Sequence, residues 1–346
     1  MRKTHVRRRL PAAALAACAL LAGAAHAQSS LQIYGQVDVW TGKSRPIGQA
    51  DRTWMQGAGG MQTNFWGIKG SENLGNGVEA IFALESFYRA DTGAGGRFTN
   101  DTLFSRSAYV GLKGAYGTVA LGRNTTPYWL STVLFNPMVS SFSFSPAVLF
   151  SYGPNGSVKA PLIGDSGWSN SVLYSMPATG GLTGSVLYST GENGDGKHKA
   201  GGNLMYTRGA LAATVAYQQA DFSSVPGDLG PAFGRQRATL VGATYDFKVA
   251  KLFGQVQRLE DELITGDTTR RSYQVGVSVP VGKMSLLASY GNMRTRGAIR
   301  DERDTLGLVL DYHLSKRSDI YLGYLHDKVD LDGSGDTLGL GLRHYF

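Results

Sequence analysis

The chain has 346 residues, with 34 Lys+Arg, 26 Asp+Glu, 47 Gly, 11 Pro, 17 Tyr, 14 Phe and a single Cys. A hydrophobic share of 42% excludes a disordered tail, the lone Cys excludes a disulfide scaffold or Cys-rich zinc site, and the absence of a Gly-X-Y period excludes collagen despite the high glycine content. Beyond residue 27 no stretch of about 18 consecutive apolar residues occurs, so no ordinary membrane-spanning helix is expected there.

The first 27 residues read as an export signal. Arg2, Lys3, Arg7, Arg8 and Arg9 make a basic start, an Ala/Leu run follows from Leu10 to Ala25, and Ala25-His26-Ala27 is a small-x-small cleavage site that leaves Gln28 first. The competing reading is a lipobox, Leu15-Ala16-Ala17-Cys18, but the apolar run continues past Cys18 through Leu20 and Leu21. Removing the five basic residues of the signal leaves 29 Lys+Arg against 26 Asp+Glu, a net of +3 in place of +8. The basic balance of the whole chain therefore belongs largely to the signal, and no clustered basic face suggests nucleic-acid binding. Residues 28–346 are expected to form one domain.

That remainder alternates with period two. In Leu31-Gln32-Ile33-Tyr34-Gly35-Gln36-Val37-Asp38-Val39 the odd positions are apolar or Gly and the even ones polar or Tyr, the pattern of a strand with one apolar face. The same reading recurs at Val78, Ala80, Phe82, Leu84, at Tyr273, Val275, Val277, Val279, and at Leu338, Leu340, Leu342, Phe346. In chain order, strands are predicted near 30–41, 62–71, 77–88, 103–114, 117–124, 169–177, 181–190, 199–208, 211–220, 236–246, 249–259, 270–280, 284–294, 303–313, 318–328 and 336–346. Each is about ten residues, enough for a tilted strand to cross a bilayer.

The connections alternate between short turns, such as Ala115–Tyr116 and Gly282–Lys283, and long polar loops at 42–61, 89–102, 125–168, 191–198, 221–235, 260–269, 295–302 and 329–335. Short turns on one side and long loops on the other point to an all-β, sixteen-stranded antiparallel transmembrane barrel. In hydrocarbon every backbone N–H and C=O needs a partner, and a closed sheet leaves no edge. The apolar face then turns out to lipid and the polar face in to water. A soluble sandwich of similar composition accounts poorly for the cyclic loop pattern.

Several blocks carry a family resemblance. Leu31 to Asp38, Phe65 to Glu85, Arg106-Ser107-Ala108-Tyr109-Val110-Gly111-Leu112, Gly117 to Arg123, Asn170 to Pro177 and the closing Gly341-Leu342-Arg343-His344-Tyr345-Phe346 together resemble the Gram-negative trimeric outer-membrane porins of the general diffusion type. That resemblance implies passive diffusion of small hydrophilic solutes and ions through a water-filled channel, a homotrimer in outer-membrane lipid and lipopolysaccharide, and insertion by the barrel-assembly machinery with Phe346 as assembly signal. It implies no catalytic residue, cofactor, metal or nucleic-acid partner.

In that family the loop after the fifth strand folds into the lumen, and its acidic residues face basic residues on the wall. Here Arg106 matches a wall arginine, but Phe65 stands where an arginine is usual, and Gly167 takes another such place. The loop 125–168 carries only Lys159 and Asp165 as charges, with Tyr128, Trp129, Phe135, Phe142, Phe144 and Phe150 in place of an acidic cluster. A weakly charged, aromatic constriction is expected, and the alternative is that those rings pack the loop against the wall. Strand parity adds Asp38, Lys69, Glu79, Glu85 and Arg89 to the lumenal set. Arg123 shares parity with Val119 and Leu121, so it either lines the pore at a bulge or meets a neighbouring subunit. The alternatives to a diffusion pore are a substrate-specific channel with a solute-binding site, a barrel enzyme, and a plugged structural barrel.

Other motifs carry less. Gly191 to His198 spells most of a P-loop, but His198 replaces the needed Ser/Thr and no helix pattern follows. Asp330-Leu331-Asp332-Gly333-Ser334 opens like a calcium loop, yet Gly341 stands where the bidentate Glu belongs. Glu260, Asp261 and Glu262 are expected to face a loop.

Overall fold

A computed structural model describes residues 30–155, 158–161, 163–191, 197–222, 233–263 and 265–346. The proposed signal at 1–27, Cys18 and the centre of the P-loop-like run at 192–196 lie outside them. The sheet holds eighteen strands, of which sixteen form a closed wall. In chain order these are β1 (Ser30–Arg45), β2 (Phe65–Gly75), β3 (Val78–Arg89), β4 (Ser107–Gly114), β5 (Gly117–Thr125), β6 (Gly167–Ser175), β7 (Leu182–Ser189), β8 (Lys199–Arg208), β9 (Leu211–Asp221), β10 (Phe233–Asp246), β11 (Lys251–Leu263), β12 (Thr268–Val281), β13 (Met284–Gly297), β14 (Asp301–His313), β15 (Ser318–Val329) and β16 (Gly333–Tyr345). Every neighbouring pair is antiparallel, and β1 closes the ring by pairing with β16 from Gln36↔Tyr345 to Arg45↔Asp336. The other two strands, Thr53–Ala58 and Ala94–Gly95, fold back onto the loop ends of β1 and β3.

The burial pattern inverts that of a water-soluble protein. Val241, Val256 and Val275 are more than 50% exposed, whereas Gln218, Gln255 and Gln274 on the opposite face are at most 3% exposed. An apolar outside and a polar inside is the arrangement that hydrocarbon outside and water within demand. Among the described residues, neither helix, Pro127–Leu134 nor Pro146–Tyr152, is long enough to cross a membrane; crossing falls to the strands.

The strands outrun the apolar alternation at their loop ends. β11 continues to Leu263, so Glu260, Asp261 and Glu262 lie within a strand rather than facing a loop. Asp261 points inward to Arg270, while Glu260 and Glu262 face out. The physical reason is that backbone pairing needs only a partner strand; the apolar stripe stops where the hydrocarbon does. The loop expected at 42–61 is largely a hairpin, Lys43↔Trp54 and Thr41↔Gln56 being paired.

Candidate pore and its constriction

The long connection between β5 and β6 is not featureless. It holds α1 (Pro127–Leu134) and α2 (Pro146–Tyr152). Thr126 caps α1 by accepting from the Trp129 amide at 3.2 Å, Ser145 caps α2 by accepting from Val148, and a proline opens each helix. Ser/Thr followed by Pro is an N-terminal helix signal, since the oxygen satisfies an orphan amide and proline has none to satisfy.

Both helices lie against the inward face of the wall, α1 along β8–β10 and α2 along β12–β14. Polar groups of the wall satisfy the loop backbone: Gln255 Nε2 donates to the carbonyls of Thr132 and Phe135, each at 3.2 Å, and Asn203 Nδ2 donates to Pro127 O at 3.2 Å. Gln257 Oε1 accepts from Tyr128 OH at 3.0 Å and from Ser151 Oγ at 2.5 Å. Inward glycines make room for the rings. A Cβ on Gly291 would stand 2.5 Å from the Phe150 ring, one on Gly323 2.6 Å from the Phe144 ring, and one on Gly276 2.7 Å from Pro137.

Of the six rings singled out above in this loop, Tyr128, Phe135, Phe144 and Phe150 are buried between loop and wall. Tyr128, expected at the lumen, therefore belongs to the seat: it is on the α1 face that meets β10 and β11. Phe142 differs. It is exposed and stacks on Trp129 with ring centroids 5.8 Å apart, and Trp129 meets Tyr152 edge-on at 4.7 Å. Leu130 and Leu134, one turn apart on the side of α1 away from the wall, are also exposed.

On the stretch of wall formed by β1–β4, away from the seats of both helices, four of the expected lumenal residues come together. Arg106 pairs with Glu85 at 2.5 Å and its guanidinium lies 4.0 Å from the centre of the Phe65 ring. Tyr34 donates to Glu85, and Lys69 Nζ sits 4.4 Å over the Tyr34 ring. A phenyl ring at position 65 thus gives Arg106 a face to stack on, where a second guanidinium would repel it. Glu79 lies apart, at the short-turn end, beside Lys113 at 3.3 Å. Arg89, at the loop end of β3, is half-buried, with no hydrogen-bond partner for its Nε among the described residues.

Asp38 does not line open water. It is fully buried and accepts from the amides of Gly60 at 3.2 Å, Met61 at 2.8 Å and Gln62 at 2.8 Å, and from Tyr321 OH at 2.5 Å. Its role in the fold is to hold the first long loop down on the inner wall.

Asp165 and Arg123 form a second buried centre. Asp165 accepts from Arg97 at 2.5 and 3.1 Å and from Arg123 at 2.5 Å, while Arg97 also binds Asp101 at 2.8 Å. Burial pushes the Asp165 carboxyl up, but Arg123 and Arg97 outweigh it and hold it below the ordinary carboxylate range. The Asp101 carboxyl is held down in the same way by Arg97. Arg123 reaches this cluster because β6 carries a bulge, Ser169 and Asn170 standing between Trp168↔Asn124 and Ser171↔Gly122, with Asn170 at φ 50°. The guanidinium is anchored further by Ser105 O at 2.7 Å and Ser169 Oγ at 3.0 Å. This centre ties the loop after β3 to the foot of the loop between β5 and β6. Strand parity gives no access to Arg97, which lies in a loop.

Several other inward charges are paired, whereas Lys69 and Arg89 have no carboxylate partner among the described residues. Arg303 grips Asp327 through two bonds of 2.8 and 2.6 Å, Arg270 pairs with Asp261, and Arg343 holds Asp319 at 2.9 Å and Asp311 at 3.3 Å. Asp311, His313 and Asp319 converge, but the Arg343 guanidinium already occupies both carboxylates.

A closed, polar-lined barrel with a helical loop seated inside it matches one family model, the Gram-negative porins, over residues 12–332. The chain belongs to the Gram-negative porin family. It is 31% identical over 340 residues to outer membrane porin protein 32 of Delftia acidovorans, covering 94% of this chain and 91% of that protein. Among solved structures, an anion-selective porin from Comamonas acidovorans superposes with a TM-score of 0.78 at 25% identity, covering 92% of this chain and all of the other. The trimer form of OmpT from Vibrio cholerae shares the fold at a TM-score of 0.69 and 15% identity, over 92% of this chain and 99% of its own. The porin is thus an outer-membrane β-barrel channel, and its relatives are channels rather than enzymes. Phe346 ends the barrel by exchanging backbone hydrogen bonds with Gly35, at 3.1 and 3.2 Å.

Proposed function

We propose that this porin passes small hydrophilic solutes and ions with little preference for the sign of charge, as a homotrimer of residues 28–346 after loss of the signal 1–27. The observation that carries the reading is the pairing of inward charges: Glu85 with Arg106, Asp261 with Arg270, Asp327 with Arg303, and Asp311 and Asp319 with Arg343. Paired charges cancel over a few ångströms, so among the described inward charges only the cations Lys69 and Arg89 stand without a carboxylate, and the transverse field that sorts ions is weak. Asp165, the acidic residue of the constriction loop, is spent on Arg97 and Arg123 rather than facing the channel. No catalytic residue, metal or cofactor enters this reading, and outer-membrane lipid, lipopolysaccharide and the assembly machinery are its partners. The test is the reversal potential of the reconstituted trimer in a tenfold salt gradient; a value near zero is expected. Strong selectivity for cations, or for anions (the sign for which the Comamonas protein is named selective), would sink the proposal.

One observation favours a second reading, a channel with a solute-binding site. The Trp129–Phe142 stack with Leu130 and Leu134 presents an apolar step on the free side of the loop. Saturable block of ion current by an aromatic solute, relieved about tenfold by Trp129→Ala, would establish that site; a ring–ring contact of ~0.5–1.5 kcal/mol sets the scale.

A further inference from the structure

The outward face of β10–β13 changes character abruptly at its loop end. On β12 the outward residues run Val281, Val279, Val277, Val275, Tyr273 and then Arg271. On β13 the order is Leu286, Ala288, Tyr290, Asn292, Arg294, Arg296, and on β11 Leu252, Gly254, Val256, Arg258. The sheet register places Arg258 opposite Arg271 and Arg271 opposite Arg294, three arginines side by side across neighbouring strands. All three are exposed, and the groove they rim, floored by Val256 and Tyr273, has a volume of about 800 Å³.

Like charges directly opposite each other on one sheet face destabilise it. Here only the outer two find carboxylates: Arg258 binds Glu260 at 2.5 Å and Arg294 binds Glu302 at 3.0 Å. The nearby Asp304 is held by Tyr290 and Asn292. Arg271, between them, has no acidic partner among the described residues, and neither has Arg296. The location is equally telling. Arg271 stands one outward position beyond Tyr273, at the edge where the apolar band ends and an aromatic girdle marks the lipid headgroups. Arginine side chains at such an edge reach into the headgroup layer, and a planar guanidinium matches phosphate through paired N–H bonds.

We propose that Arg271, with Arg294 and Arg296 beside it, forms a binding site for a phosphate group of the outer-leaflet glycolipid, its acyl chains lying in the groove over Tyr273 and Val256. The proposal rests on the outer-membrane reading of the barrel, with the long loops outside, and names one partner within it. The phosphate neutralises the unpaired member of the arginine row, and the groove supplies the apolar contact that a free anion would not use.

The test is binding of lipid A in detergent to the purified mature trimer, followed by native mass spectrometry, for the wild type, Arg271→Gln, the double variant R271Q/R294Q, and Arg208→Gln as a charge-loss control at the short-turn end. Lipid A is expected to bind the wild type and R208Q alike, with at least a tenfold loss in R271Q and more in the double variant. Dephosphorylated lipid A is expected to bind the wild type as weakly as lipid A binds the double variant, and 10 mM inorganic phosphate to displace little. Equal lipid A binding by wild type and the double variant, or equal binding of the dephosphorylated lipid, overturns the site. Displacement of lipid A by inorganic phosphate at that concentration would assign the arginines to a soluble anion and overturn the lipid reading. Single-channel conductance of every variant is measured in parallel: unchanged conductance with lost lipid confirms that fold and channel are intact, whereas a wild type without conductance would count against the porin reading and not against the site.

Discussion

Asp165→Asn is the sharpest probe of how the loop between β5 and β6 is held. The carboxylate receives three N–H bonds from two guanidiniums, Arg97 at 2.5 and 3.1 Å and Arg123 at 2.5 Å. The amide is the same size but keeps one acceptor oxygen, carries no charge, and turns an NH2 donor toward a donor. Removing one partner of a buried ion pair costs about 3–5 kcal/mol, and each lost charge-assisted bond about 1.5–3 kcal/mol. The lower end applies here, because Arg97 keeps Asp101 and the two arginine side chains are 22% and 13% exposed. About 3 kcal/mol corresponds to roughly a 150-fold rise in local opening. Amide hydrogen exchange reads it at Arg97, whose N–H bonds Asp101 at 2.9 Å, and at Thr126, whose N–H bonds Ser166 O at 2.8 Å. Exchange at those amides should quicken by about two orders of magnitude while the β14–β16 wall is unmoved. Rates within threefold of wild type would refute the reasoning. The same centre predicts a pH dependence. The Asp165 carboxyl is held below its ordinary value, so its contribution is complete above pH ~4 and is lost as pH falls through the depressed value. Wild-type exchange at Thr126 should therefore approach that of the variant as pH falls below the ordinary carboxylate range, after correction for the intrinsic rate.

Two further outcomes follow from the lumen. Arg106→Gln leaves Glu85 without its cation at 2.5 Å, so the reversal potential should move toward cation preference, with Glu85→Gln moving it the other way; no movement in either would mean the pair lies outside the ion path. Gly323→Val places a side chain where the Phe144 ring stands 2.6 Å from the position of a Cβ, which should lift the loop off the wall and lower conductance, at an overpacking cost of about 1–3 kcal/mol read from the heat-unfolding midpoint.

Period-two alternation, visible from Leu31 to the final Phe346, was enough to place sixteen strands, their antiparallel order and the outward direction of their apolar faces, because a hydrocarbon exterior imposes that pattern on every strand independently. Glu85, Lys69, Phe65 and Arg106 were accessible by the same parity and by family resemblance. Parity says nothing once the chain leaves the sheet. The helices of the β5–β6 loop, with Thr126-Pro127 and Ser145-Pro146 at their starts, carried a local signal that strand periodicity masks. The high glycine content suggests turns, yet Gly276, Gly291 and Gly323 are strand residues that leave space for Pro137, Phe150 and Phe144 more than 100 residues away in sequence. Tyr128 moved from the lumen to the seat, and Asp165 from the channel to Arg97 and Arg123, for a common reason. Which face of a loop meets the wall depends on shape and hydrogen-bond partners contributed by distant strands, here Gln255, Gln257 and Asn203. Closure of the barrel likewise brings Asp38 to Tyr321 and sets Arg258, Arg271 and Arg294 in one row. Local sequence determined that each segment is a strand and which way it faces; pairing register and loop packing, which are sums over remote contacts, decided what the inward and outward charges meet.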